Sequence, residues 1–89
     1  MKKYLIEGRY TEGQHEGHTF LLTKGGYVVN NVRTLMPWDF YETERAAKMV
    51  ATKKTKQNKF DSAYNHYIEP CEYTVKEIEF KGGDKSEGV

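Results

Sequence analysis

The sequence predicts an α+β fold: a small antiparallel sheet, built as a three-stranded meander plus a C-terminal strand, with one helix packed on one face in the order β-β-β-α-β. Three observations predict it. Residues 3–10 alternate in polarity with the period of a strand, two apolar runs flank Lys24-Gly25-Gly26, and residues 43–59 are the only long stretch with a helical apolar period.

In the first strand Tyr4, Ile6, Gly8 and Tyr10 point one way and Lys3, Leu5, Glu7 and Arg9 the other, which reads as a strand with one buried face. Residues 12–17 form a polar turn bounded by glycines. In the hairpin that follows, a two-residue type I′ turn at Gly25-Gly26 pairs Lys24 with Tyr27, Leu22 with Val29 and Phe20 with Asn31. That register sets Phe20, Leu22, Tyr27 and Val29 on one face; a slip of one residue reverses the assignment. The connection to the helix holds Pro37, which bars helix at Met36, and is rich in apolar side chains (Leu35, Met36, Trp38, Phe40, Tyr41) expected to cover the open edge of the core.

The helix is expected because Ala47, Val50, Ala51 and Lys54 recur at spacings of three and four and so share a face. Thr43 is a fitting N-cap with Glu44 in the first turn, and Asp39 with Glu42 is an alternative capping pair. The same side continues as far as Tyr64, yet its polarity at Asn58 and Asp61 argues for an earlier end. Pro70 terminates any local helix. The last strand, residues 72–80, changes phase between Tyr73/Val75 and Ile78/Phe80, so a β-bulge near Lys76-Glu77 is expected. It would pair with the first strand or lie at an edge. Residues 1–80 thus form a single α+β domain, and 81–89 have nothing to bury and read as a disordered tail.

With 89 residues and 13% aromatics, seven of them tyrosine, the chain can assemble one small core. Its net charge of +1 creates no global field. The distribution is uneven: residues 43–59 carry six of the 14 basic residues and one of the 13 acids, +5 against −4 for the remainder. A single cysteine, no leader-like segment and no apolar run of about 20 residues lead to the expectation of a cytoplasmic chain without a membrane segment.

Candidate chemistry is sparse. His15 and His18 stand at H-x-x-H spacing with His66 and Cys71 far downstream, a poor match to paired zinc ligands, so no metal or other cofactor is expected. Cys71 lacks an elbow or oxyanion site, and no acid pair stands out, so no enzyme is expected. The binding signals are stronger. Arg45, Lys48, Lys56 and Lys59 fall on the helix face opposite the alanines, and Trp38, Tyr41, Tyr64 and Tyr67 are more large aromatics than so small a core needs. These eight residues are the candidate binding residues. They suit a protein partner through aromatic anchors, or a sequence-tolerant nucleic acid through a phosphate-tracking row with Phe60, Tyr64 and Tyr67 to stack on bases.

The order of strand, hairpin with Gly26-Tyr27 opening its second arm, then Trp38-Asp39-Phe40 and Thr43-x-x-Ala46-Ala47, resembles small proteins of phages and prophages of Gram-positive bacteria. The resemblance implies an accessory protein acting in the host cytoplasm. It implies a host protein as partner, and a function such as inhibition of a host defence nuclease of the CRISPR type. It carries no functional residue over to this chain.

Overall fold

A computed structural model describes residues 2–79, and both Phe80 and the expected tail at 81–89 lie outside them. The chain forms a small α+β domain of three antiparallel strands and one long helix: β1 (Lys2–Tyr10), β2 (Thr19–Leu22), α1 (Glu44–Tyr64) and β3 (Cys71–Glu79), in the spatial order β2-β1-β3. The last strand both pairs with the first and forms an edge. Short 3-10 turns at Val32–Thr34 and Pro37–Asp39 punctuate the connection between β2 and α1.

The alternation in β1 is realised, and α1 covers its Ile6 face. Ile6, Leu22, Tyr41, Ala47 and Ala51 make the central cluster, with Tyr4, Phe20, Val50, Tyr73 and Val75 packed around it. Gly8 lies beneath the Phe20 ring, where a Cβ would collide with it. Its lack of a side chain lets Phe20 and Tyr73, both directly opposite Gly8 in the ladder, meet edge-on across it at 6.1 Å.

The structure corrects three expectations. First, β1 buries both faces at its start. Tyr41 pairs with Tyr4 through two backbone hydrogen bonds (2.8 and 3.1 Å), taking the place β2 would otherwise hold. This register sets Phe40 opposite Leu5 on the reverse face, where both are fully buried, and sets Glu42 opposite Lys3, whose ammonium it meets at 2.7 Å.

Second, no bulge interrupts β3. Its register with β1 is unbroken from Lys2↔Glu79 to Tyr10↔Cys71. Tyr73 and Val75 therefore face the helix and Ile78 faces the reverse side, opposite Lys3. The phase change matches a sheet whose buried face switches toward the end where Phe40 packs.

Third, the hairpin loop is one residue longer than a type I′ turn. Leu22 pairs with Val28, not Val29, and the second arm contributes only that isolated bridge. The Thr23 hydroxyl accepts the Tyr27 amide (3.1 Å), the Thr23 carbonyl accepts from Gly26 (2.9 Å), and the Lys24 amide is drawn to Asp39 O (2.8 Å). Of the two turn glycines only Gly26 needs positive φ (+91°). Tyr27 and Val28 are left exposed.

Helix α1 starts as expected, with the Thr43 hydroxyl accepting from Ala46 N–H at 3.1 Å. Asp39 instead closes the preceding 3-10 turn, accepting from Met36 N–H at 2.8 Å. The helix runs on to Tyr64 because its polar inner residues have partners on β3. The Thr55 hydroxyl accepts from Tyr73 N–H (2.9 Å) and lies within donating distance of the Tyr73 and Ala51 carbonyls (3.2 and 2.9 Å). Asn58 accepts from Cys71 N–H (2.7 Å) and donates to Glu69 O (3.4 Å). The helix thereby covers one end of the β3 edge as well as the sheet face.

Candidate binding face on the helix

An α-helix advances about 1.5 Å and 100° per residue, so a helix that buries Ala47 and Ala51 must turn Arg45, Met49, Thr52 and Lys56 outward. The structure brings together Arg45, Lys48, Met49, Thr52, Lys53 and Lys56 around a shallow groove of ≈ 530 Å³. A second depression of ≈ 350 Å³, lined by Lys53, Lys56, Gln57 and Phe60, continues it toward the C-terminus. Lys59 is exposed beside Phe60. Among the described residues, none of these cations has a carboxylate partner; the ion pairs there join Lys2 to Glu77, Lys3 to Glu42 and His15 to Glu69. Of the helix cations only Lys54 turns inward, its ammonium 6.0 Å from the centroid of the Tyr73 ring.

Two residues give this face a character beyond charge. Met49, at 66% exposure, sits amid the cationic rim, and Phe60 stands exposed with its ring 4.7 Å from that of Tyr64. Met49 and Lys53 are absent from the eight sequence candidates. The signal for Met49 was present in the sequence, as an apolar residue in phase with Arg45 and Lys56 and out of phase with the alanines.

The aromatic candidates separate. Trp38 (70%), Tyr64 (80%) and Tyr67 (85%) are exposed. Trp38 lies just before the helix and the two tyrosines lie at and beyond its far end, so they flank the groove and do not line it. Tyr41 is a correction: it is 8% exposed, belongs to the core, and leaves the set of contact residues because its backbone bridge to Tyr4 turns the ring under α1. Burial raises its phenol pKa above the ordinary value.

Burial raises the Cys71 thiol above its ordinary pKa, and the His66 ring lies tilted against Tyr67 at 4.4 Å. Among the described residues no three of His, Cys, Asp and Glu are grouped so as to hold a metal. On the reverse sheet face, Glu7, Arg9, Gly17, Thr19, Glu72 and Thr74 line a depression of ≈ 390 Å³, but Arg9 stands opposite Glu72 in the ladder, so the charges there are mixed. Among the described residues no helix is long and apolar enough to cross a membrane.

One polar link does predict a pH response. Glu69 accepts from the His15 amide (3.1 Å) and meets His15 Nδ1 at 3.0 Å, tying the loop after β1 to the segment before β3. These bonds, the backbone one foremost, hold the Glu69 carboxyl below its ordinary pKa. A lowered carboxyl pKa stabilises the link above the ordinary glutamate value, and the link is lost as pH falls through the lowered one. The protection of the His15 amide, the slowing of its exchange relative to that of an unbonded amide at the same pH, is therefore expected to fall over that acid range, and Glu69→Gln to flatten the response. An unchanged pH profile in Glu69→Gln would contradict the assignment.

Compared with protein-family models, curated proteins and solved structures, the chain finds no match.

Proposed function

We propose that this is a small non-enzymatic binding protein that occupies an acidic surface of a partner protein through the outer face of α1. The observation that supports it is the juxtaposition of unpaired cations with exposed Met49 and Phe60 on one rigid helix. Cations alone are the ordinary outer face of a surface helix, whereas apolar side chains among them add surface that gains from being covered. The resemblance to phage accessory proteins supports a host protein as the partner, reached in the host cytoplasm. The sign of the charge narrows the mode of action: an inhibitor that imitated nucleic acid would present carboxylates, so a nuclease target would be met on an acidic face away from its substrate channel.

The exposed, mutually tilted Phe60 and Tyr64 rings beside Lys56 and Lys59 favour a second reading, single-stranded nucleic acid held by stacking on bases and phosphate contacts. One double variant separates the two. Lys48→Glu/Lys56→Glu is expected to leave the circular dichroism spectrum unchanged and to weaken capture of the partner from bacterial lysate by at least about tenfold. On the first reading, labelled oligonucleotides show no salt-sensitive binding. Oligonucleotide binding that falls with salt and disappears in the variant, with no protein retained, would replace the first reading by the second.

A further inference from the structure

We infer that the groove along Arg45, Lys48, Met49, Thr52, Lys53 and Lys56 receives an acidic amphipathic helix of the partner, which seats an apolar side chain on Met49 and sets carboxylates against the flanking cations. This deepens the reading above and rests on it.

The floor of the groove is carbon: the Met49 thioether chain and the alkyl stems of the arginine and lysines, whose charged heads reach outward. A phosphodiester backbone has nothing apolar to place there. A helix with an apolar stripe has, and Met is a side chain that adapts its shape to such a stripe. The spacing also agrees. Arg45, Met49, Thr52 and Lys56 follow one another at four, three and four residues, the ridge period that one helix offers another. Over that length the ridge extends about 16 Å, three turns of a partner helix. Thr52 is the small member of the row and leaves room for a partner side chain between Met49 and Lys56. The rim decides the sign: Arg45, Lys48, Lys53 and Lys56 lack intramolecular carboxylates among the described residues, so a carboxylate from outside displaces no existing ion pair.

The test uses the full chain and synthetic probes. One peptide of about 18 residues carries leucine and glutamate in helical period, a second has the same composition shuffled out of period, and a third probe is oligothymidylate. The periodic peptide is expected to bind at least about tenfold more tightly than the shuffled one. Met49→Gln, a change at an exposed site that leaves the fold intact, is expected to erase that preference while residual charge-driven binding persists. Equal binding of the two peptides would overturn the inference and leave the acidic-partner reading standing. Binding of oligothymidylate but of neither peptide, or of none of the probes, would overturn both.

Discussion

Phe40→Ala is expected to lower stability by about 3–5 kcal/mol, the cost of emptying a fully buried aromatic site. For a domain of this size the whole margin is on the order of 4–12 kcal/mol, so the variant would stand near its unfolding threshold. The matched control is Trp38→Ala, two residues away. Trp38 is the larger side chain, yet it is exposed, and its removal is expected to shift stability by no more than about 0.5 kcal/mol. Urea unfolding followed by far-ultraviolet circular dichroism reads both. Comparable losses at the two positions would mean that Phe40 does not fill the reverse face against Leu5.

The double change Thr55→Val/Asn58→Leu is expected to cost about 2–5 kcal/mol and to make the chain self-associate. Thr55 holds the outward-pointing amide of Tyr73 and Asn58 that of Cys71, both part-buried. Stripping a partner from a buried amide costs about 1–3 kcal/mol, and the two losses share one helix–strand seam, so they will not sum simply. The uncovered β3 edge then offers unpaired backbone groups to a second molecule. Sedimentation at several concentrations reads the association. A variant that stays monomeric with undiminished stability would show that α1 is held by its alanines alone.

What could be read from the residues was local. The alanine stripe and the Thr43 cap depend on neighbours within a few positions, and each appears in the structure as the pattern required; the alternation of β1 marked a strand but not the burial of both its faces at Lys3 and Leu5. What could not be read depended on residues far apart in the chain. Phe40 and Tyr41 stood side by side in the apolar connection, Tyr41 as a candidate contact residue, until the Tyr4–Tyr41 bridge placed one on each side of the sheet. The hairpin register was settled by a threonine hydroxyl and by the pull of Asp39 on Lys24. Asn58, one of the polar residues that argued for a short helix, helps to extend it, because it serves β3 together with Thr55. For the proposed binding face, helical period alone placed the cations together. Met49 was legible by the same arithmetic, as an apolar residue on the wrong side for the core, and Tyr41 was not.

The proposed contact surface is tested most directly by titrating the isotope-labelled chain with the periodic acidic peptide and following backbone amide shifts. The account predicts shifts at Arg45, Lys48, Met49, Thr52 and Lys56, fading toward Ala47 and Ala51 on the buried side. Shifts centred instead on Glu7, Arg9 and Thr74, on the far face of the sheet, would contradict it.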